Sequence, residues 1–516
     1  MDLLSIYKFI KFNKNLHKNQ KKNDKIILIE LFNNKSHIIA YSLFLKSLSQ
    51  THEGRVVAYS PNFLNLKDKI KILILNFFRF SYIGVFNSIT NNSILIPSKT
   101  DLSTKKAKKI FKQSLKFIKK KQDILKLKFL NIPIGDLLYD VYIRENNLST
   151  IDFTTKDFKK YLQNFIFIFL YWYKYLDKKK IAAINCSHTS YLLGLPPRIA
   201  IYKNIDTFNV TGHGAYRLSK NFLLRFSANK LYHKEFKKKF YKIKSKAFEV
   251  SKINFIKRFR GENDLAYNSQ TSIHPVFQKK TNFKKKKENI QLHKRNIKIL
   301  IATHCFNDAP HVYGNFIFSD FFDWLDFLGN FSNKQKNFNW YIKLHPSYYN
   351  RNYENIQYFI NKYKNFHLLP KHITHSELIN DGIDLALTVH GSIAYEYSYF
   401  NIPVITAGPN PSMSYNYCFN PDSKKKYLML LEKIKDIIAN KKKINKVEIY
   451  ESYFMKYVVE YNLFSKYRLK KEDYNTDKIY QLFFNDFSES KIFSILEEYK
   501  KFILSGEHRL TITDLK

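Results

Sequence analysis

The sequence of 516 residues has little of several residue types that mark common protein classes. Its three cysteines, Cys186, Cys305 and Cys418, lie far apart and form neither a CxxC pair nor a disulfide framework. Glycine and proline number 13 each, and no GxxxxGK(S/T), GxGxxG or GxSxG stretch occurs. These absences argue against a P-loop ATPase, a dinucleotide-dependent oxidoreductase and a serine hydrolase with a nucleophile elbow.

Long apolar runs are also missing. The most apolar stretch, residues 165–173, is far shorter than the roughly 20 residues that span a bilayer, so it is predicted to be a buried helix segment. Residues 1–23 form a basic, amphipathic lead without the apolar core of a signal peptide. We therefore expect a cytoplasmic protein whose membrane association, on the inner face of the cytoplasmic membrane, is peripheral.

Positive charge is abundant. Lys and Arg number 87 against 43 Asp and Glu, a formal net charge of +44. Such a surface attracts polyanions, although a compositional bias toward Lys explains part of the excess. The sequence has no zinc-finger spacing, no RNP-type strand and no basic region followed by heptads, so nucleic acid is not the expected partner. The expected partners of this basic surface are therefore an anionic membrane surface and an acidic nucleotide or glycan.

Strand-type and helix-type segments alternate in both halves of the sequence, which predicts α/β domains with parallel sheets. We divide the chain into a basic lead (1–23), an N-terminal domain (24–277), a linker (278–296), a C-terminal domain (297–423) and a helical tail (424–516). The linker is assigned because residues 278–296 are rich in charge and poor in apolar residues.

One candidate binding segment is LTVHGSIAYEYSYFNIPVITAG, residues 387–408. An apolar strand leads into His390, Gly391 permits a tight turn, and Ser392 falls near the N-cap of the next helix. The free N–H groups of a helix start favour a phosphate. Glu396, one turn later, could accept hydrogen bonds from ribose hydroxyls. The alternative is an ordinary strand, turn and helix with a capping serine.

A second segment, IKLHPSY (residues 342–348), also follows a predicted strand. Lys343 and His345 share one strand face, and Pro346 ends the strand. His345 could donate to a phosphate oxygen or protonate a departing phosphate, or it could be a turn histidine satisfied by backbone. Taken together, the two segments predict a nucleotide pocket built from separate loops at the carboxyl edge of one sheet.

The combination of KLHP with HGSIAYEYSYFNIPVITAG resembles the capsule polysaccharide biosynthesis family, which includes bacterial Kdo transferases and is related in pattern to sialyltransferases with an HP motif. Residues 302–325 and 131–146 also look like stretches of such proteins. The resemblance implies a GT-B architecture of two Rossmann-like domains facing a cleft, with tail helices packing back on the N-terminal domain. It implies that His345 and Ser392 contact donor phosphate and Glu396 the ribose. Lys343, Pro346, His390 and Gly391 complete the predicted nucleotide-sugar site.

Further candidates lie at other predicted strand ends. His304, Asp308 and His311 follow the first strand of the second half and are expected to line the cleft; their spacing matches no standard metal motif, and no metal is predicted. An inverting transferase needs a base near the acceptor hydroxyl. Asp136 is the preferred candidate, ahead of His213. Asp140 and His188 are further candidates, and a structural role would explain any of the four.

The sequence thus predicts a glycosyltransferase of bacterial surface polysaccharide synthesis. Its expected partners are a nucleotide-sugar, a glycan or lipid-linked acceptor and an anionic membrane surface, with no cofactor. A CMP-linked acidic sugar of Kdo or sialic acid type is the favoured donor, because a histidine and backbone N–H groups could stabilise a single departing phosphate without a metal ion. The alternatives are a CDP-polyol phosphotransferase and a non-catalytic module of polysaccharide assembly or export.

Overall fold

The computed structural model describes residues 3–18, 24–98, 104–262, 264–265, 296–314, 316–335, 337–345, 349–371, 373–441, 443–460, 463 and 478–511, with the backbone alone for residues 349–352. The chain divides into two compact units. The first unit comprises residues 1–141, 152–225 and 460–516, and the second comprises residues 142–151 and 226–459.

The strands in chain order are β1 (Ile26–Glu30), β2 (Arg55–Tyr59), β3 (Ile94–Leu95), β4 (Lys128–Phe129), β5 (Ile132–Pro133), β6 (Ile181–Asn185), β7 (Asp206–Thr211), β8 (Gly214–Leu218), β9 (Ile297–Ala302), β10 (Phe338–Lys343), β11 (Phe366–Leu368), β12 (Leu385–Thr388) and β13 (Val404–Thr406).

The α-helices in chain order are α1 (Leu3–Leu16), α2 (Lys35–His52), α3 (Leu66–Phe77), α4 (Tyr82–Thr90), α5 (Thr104–Phe117), α6 (Lys121–Leu125), α7 (Gly135–Glu145), α8 (Lys156–Lys178), α9 (Leu195–Tyr202), α10 (Tyr232–Lys239), α11 (Lys244–Phe259), α12 (Phe321–Ser332), α13 (Tyr349–Lys362), α14 (His375–Asn380), α15 (Ile393–Tyr399), α16 (Lys424–Glu432), α17 (Ile434–Ala439), α18 (Lys446–Tyr453), α19 (Lys478–Asp486) and α20 (Glu489–Ser505).

The first unit is built on a six-stranded sheet in the order β3-β2-β1-β6-β7-β8. Its strands pair in parallel except for β7 and β8, which form an antiparallel hairpin. Strand β1 is buried along its whole length, as the continuous apolar run IILI requires of a strand covered on both faces. The apolar faces of α1, α2, α19 and α20 pack into the same core, so the end of the chain completes this unit.

The second unit contains a fully parallel sheet in the order β11-β10-β9-β12-β13. The chain moves outward from β9 through β10 to β11 and then crosses to β12 on the other side of β9. The crevice between β9 and β12 is therefore the topological switch point, where open parallel sheets bind ligands beyond the carboxyl ends of their strands. Aliphatic and aromatic side chains of the strands and of α12 and α13 fill the core.

The prediction of an α/β fold with two Rossmann-like domains and a helical C-terminal region is confirmed by these two sheets and the helices that follow them. The unit boundaries differ from the predicted domain boundaries. Residues 226–259 cluster with the second unit because α11 packs on α18, while residues 460–516 join the first because α20 packs on α2. Of the predicted linker, residues 278–295 lie outside the described part of the chain.

No single helix in the described ranges is long and apolar enough to cross a membrane, but α3 and α4 together pass that test as a pair bent by 72°. The predicted basic lead forms α1, whose apolar side chains Ile6, Phe9 and Ile10 are buried in the first unit. The apolar half of the lead is thus part of the fold. The exposed side of α1 carries both basic and apolar residues: Lys8, Lys11, Lys14, Leu3, Leu4 and Tyr7.

Candidate functional site

Two histidines meet at the switch point of the second sheet. His304 follows β9 and His390 follows β12, and their ring centroids are 4.2 Å apart at an interplanar angle of 39°. Tyr313 and Phe321 flank the pair, with centroids 4.8 and 5.5 Å from that of His390. The parallel pairing of β9 with β12 brings together two residues that are 86 positions apart in the sequence.

The hydrogen bonds of His304 define its protonation. The backbone N–H of His390 donates to His304 Nε2 across 3.3 Å, and the Thr388 hydroxyl lies 3.3 Å from the same nitrogen. Because a backbone N–H can only donate, Nε2 must lack a proton, and neutral His304 carries its proton on Nδ1. The ring is therefore fixed in the tautomer that can offer an Nδ1–H donor.

Burial keeps the histidines of this edge neutral. It lowers the pKa of His304 well below the ordinary value, assisted by His390 and His345. It lowers the pKa of His390 to about 3, with the charge of Lys456 acting in the same direction. His345, which follows β10, also has a pKa lowered by burial, opposed by the charge of Asp308. Near neutral pH these imidazoles are thus hydrogen-bonding groups rather than cations.

The turn after β12 is tight. The Gly391 N–H donates to Thr388 Oγ1 across 3.3 Å, and a Cβ at Gly391 would stand 2.7 Å from that oxygen. Ser392 occupies the N-cap position of α15, as predicted from the sequence, but its side chain makes no capping hydrogen bond. The close approach of the Thr388 hydroxyl thus requires glycine at position 391. The Ser392 hydroxyl is not used to cap the helix.

Lys343 lies at the end of β10, where its ammonium group donates to the carbonyl of Ile373. Burial lowers the pKa of Lys343 to about 8. This contact accounts for one of its three N–H donors and directs the side chain toward the segment before α14. Pro346, predicted to end this strand and to contact the nucleotide, lies outside the described residues.

The structure gives Glu396 a different role from the predicted ribose contact. Its side chain is fully buried, and Arg258 Nε donates to Glu396 Oε1 across 2.8 Å. The same guanidinium bonds Asp264 at 3.2 Å, and the Tyr453 hydroxyl donates to Asp264 at 2.8 Å. A carboxylate without exposed surface is not placed to meet ribose hydroxyls. It serves here to neutralise a buried arginine.

The residues predicted to line the cleft behave differently from one another. His304 belongs to the histidine pair, whereas Asp308 accepts a hydrogen bond of 3.3 Å from Arg144 at a half-exposed position. His311 is buried, with its ring 6.4 Å from that of Phe316. Within the described ranges, no three His, Cys, Asp or Glu side chains are grouped as a metal ion would need.

Two basic residues of this unit were not predicted from the sequence. Arg258 lies near the end of α11, and Lys456 lies in a π-helical turn, Phe454–Val458. Burial and the charge of Arg258 lower the pKa of Lys456 to about 7. A π-turn often marks a functional site. The sequence gives no signal for either residue, because neither belongs to a recognisable motif and each is one of many basic residues in its region.

The first unit has its own polar cluster at the corresponding edge of its sheet. Glu30 ends β1 and Ser187 follows β6, so the two lie at the β1/β6 switch point. The Ser187 hydroxyl donates to the Glu30 carboxylate at 2.8 Å, and the Ser187 N–H donates to it at 2.7 Å. Burial raises the pKa of Glu30 to about 7. The Ser187 hydroxyl also lies 2.7 Å from His188 Nδ1.

Two further histidines extend this cluster. His37 stands in the first turn of α2, where Asn34 caps the helix and lies 2.9 Å from His37 Nδ1. The rings of His37 and His213 are 5.6 Å apart, and His213 occupies the hairpin turn between β7 and β8. Arg225 donates to the His213 carbonyl at 3.1 Å. Burial, His213, His188 and Arg225 together hold the pKa of His37 well below its ordinary value.

Asp136, the preferred candidate for the base, is held in a structural ion pair. Both of its carboxylate oxygens accept from Arg198, at 3.0 and 2.9 Å, and the arginine side chain is buried. A bidentate arginine stabilises the carboxylate form and so makes the group a poorer base. This geometry disfavours Asp136 as a base, relative to the next candidate, His213.

No family model matches this chain, and no curated protein does. Among solved structures, it is similar to a UDP-GlcNAc 2-epimerase from Neisseria meningitidis bound to UDP-GlcNAc, with 11% identity, a TM-score of 0.22, and coverage of 90% of this chain and 99% of that one. It is also similar to the wall teichoic acid polymerase TagF, with 9% identity, a TM-score of 0.20 and 97% of each chain covered. These values are low, and the fold description rests on the strand order of this chain.

Proposed function

We propose that this protein is a glycosyltransferase of bacterial surface polysaccharide synthesis, similar to the capsule polysaccharide biosynthesis family, and that its second unit binds the nucleotide-sugar. The observation that carries the proposal is the contact between the rings of His304 and His390 at the β9/β12 switch point. There the carboxyl edge of a parallel sheet offers ring N–H donors, and Gly391 and Ser392 follow at the start of α15.

The proposed role of this site is to stabilise the phosphate of the departing nucleotide. The Nδ1–H of His304 and the ring of His390 would donate to phosphate oxygens, and Lys456, whose charge acts on His390, would supply a positive charge. The donor that such a site would favour is CMP-linked and carries an acidic sugar. His345, the third neutral histidine of this edge, would help to position the phosphate.

The acceptor hydroxyl needs a base, and we place this base in the histidine cluster of the first unit. His213 would take the proton, with His37 beside it. The Glu30–Ser187–His188 chain of hydrogen bonds would orient the neighbouring groups of that edge. The acceptor itself would be a glycan or a lipid-linked sugar.

The proposal is tested by a transfer assay with a panel of CMP-, UDP-, GDP- and CDP-activated donors, each with and without a chelator. We expect transfer from a CMP-linked acidic sugar that chelator does not change. Transfer of polyol phosphate from a CDP-activated donor would replace the proposal with a phosphotransferase. Activity that chelator removes and magnesium restores would contradict the metal-free mechanism.

The pKa of Lys456 makes nucleotide affinity depend on pH. In the free protein the pKa of Lys456 is about 7, so Lys456 loses its proton as the pH rises above 7. A bound phosphate would keep Lys456 protonated. We therefore expect affinity for CMP to fall between pH 7 and 9, by up to about tenfold per pH unit. The phosphate of CMP, whose second pKa is about 6, is almost wholly dianionic throughout this window. Calorimetry should show that Lys456→Met removes the fall in affinity that begins near pH 7 and leaves only a later fall from Lys343, whose pKa is about 8. Lys435→Met, at an exposed position, should change neither.

The two candidate bases are separated by their variants. Asp136→Asn leaves buried Arg198 without its bidentate partner, so it should lower the free energy of unfolding by about 1.5–3 kcal/mol while transfer by the folded protein persists. His213→Gln should abolish transfer and leave nucleotide affinity unchanged. His52→Gln, in the same unit, is the matched histidine control. Full transfer by the His213 variant would remove this residue from the mechanism.

A further inference from the structure

Helix α3 of the first unit buries none of its side chains. Five of its large apolar residues are nevertheless spaced to share one helix face, because they recur at intervals of three and four. Their exposure is high: Leu73 is 61% and Phe77 is 87% exposed. With the next residue of the chain, they form what we call the α3 face: Leu66, Ile70, Leu73, Ile74, Phe77 and Phe78.

The helix is held in place by its other side. Asn65 caps it by accepting from the N–H of Asp68, and the Ser81 hydroxyl donates to the carbonyl of Leu75 at 2.6 Å. The Asn87 amide at α4 donates to Asn76 at 2.7 Å. The apolar face is thus presented by an anchored helix rather than by a frayed segment. Exposed apolar groups of this size on one face mark an interaction surface.

Basic residues border this face. Lys67, Lys71 and Arg79 are exposed beside it, and Asp68 is the single acidic residue between positions 65 and 79. Arg79 also lies over the ring of Tyr7 at 5.1 Å, which joins the α3 face to the exposed side of α1. A helix with an apolar face and a cationic border matches the interfacial zone of an anionic bilayer.

We propose that the α3 face inserts into the surface of an anionic membrane, with α3 lying in the plane of the interface. A symmetric contact with a second copy is disfavoured, because it would bring the same basic borders together. A transmembrane hairpin of α3 and α4 is disfavoured too, because the side chains of α4, among them Val85, Phe86 and Ile89, are buried in the core. The inference is independent of the reaction proposed above.

Vesicle binding by the full chain tests this inference. Vesicles of phosphatidylcholine with and without phosphatidylglycerol are titrated with the unaltered protein, with Leu73→Ser/Phe77→Ser, and with the control Phe493→Ser/Leu504→Ser. The control removes two apolar side chains of α20, each 66% exposed, from the same unit. We expect binding that requires phosphatidylglycerol, falls at high salt, and is at least about tenfold weaker for the α3 variant only.

A second measurement reports insertion directly. Phe77→Trp places an indole on the α3 face, and its emission should shift to shorter wavelength and be quenched by brominated lipid when anionic vesicles are added. Equal vesicle binding by the α3 variant and the control, or an indole at this position that stays unquenched on bound protein, would overturn the proposal. So would a lipid-free dimer that the α3 variant abolishes, because a second copy would then be the occupant.

Discussion

His304→Phe should cost nearly all transfer activity while the protein still folds, with a loss of about 1–3 kcal/mol of stability because the His390 N–H loses its acceptor. Phenylalanine keeps the ring that stacks on Phe321, at a present centroid distance of 5.0 Å, but it removes both ring nitrogens. The lost donor to an anionic phosphate corresponds to about 1.5–3 kcal/mol of binding. If the contact strengthens as the phosphate departs, the rate of transfer should fall by about 10²–10³-fold. Steady-state assays with the nucleotide-sugar measure both quantities.

The control for this variant is His367→Phe. His367 lies in β11 of the same sheet, with its ring 5.6 Å from that of Tyr341, away from the β9/β12 switch point. We expect this variant to retain activity. Circular dichroism and thermal melting of both variants separate a loss of chemistry from a loss of structure. Activity of His304→Phe within a few fold of the unaltered protein would show that the His304–His390 pair does not bind the phosphate.

Arg258→Met should destabilise the second unit severely. It leaves the carboxylates of Glu396 and Asp264, whose side chains have no exposed surface, without the cation that both contact. Breaking a buried ion pair from one side costs about 3–5 kcal/mol. For a unit of this size we expect a melting temperature lower by about 10 °C. Thermal melting followed by tryptophan fluorescence measures the change, because Trp324 and Trp340 belong to this unit and only Trp172 lies in the other.

Two further variants make that result interpretable. Lys426→Met removes one partner of an exposed ion pair with Asp422, and it should leave the melting temperature unchanged. The triple variant Arg258→Met/Glu396→Leu/Asp264→Leu removes all three buried charges and should recover much of the lost stability. An unaltered melting temperature for Arg258→Met alone would show that Glu396 is not neutralised by this arginine and would reopen its role at the ribose.

The strand ends of the second unit could be predicted because apolar runs and the turn residues that follow them are local signals. Gly391 and Ser392 lie where the sequence places them, at the turn after β12 and at the N-cap of α15. The pairing of His304 with His390 was not predicted, because it depends on the register of β9 with β12 and hence on the order of strands in the sheet. Sequence spacing alone carries no information about that order.

Long-range partners account for the other differences. Glu396 has the helical position expected of a ribose ligand, but its partner Arg258 lies 138 residues earlier, in a basic helix with no motif. Asp136 is likewise paired with an arginine 62 residues away. The exposed α3 face could not be predicted from the sequence for a different reason. An amphipathic helix normally predicts burial of its apolar face, and only the folded chain shows which face is left uncovered.

The central claim is that the β9/β12 switch point of the second unit binds a nucleotide phosphate. Isothermal titration of CMP into the unaltered protein and into His304→Phe, both in chelator, tests it most directly. We predict binding of one CMP per chain, tighter than UDP or GDP, that is at least about tenfold weaker in the variant. Equal CMP affinity in the two proteins, or no binding of any nucleotide, would contradict the account.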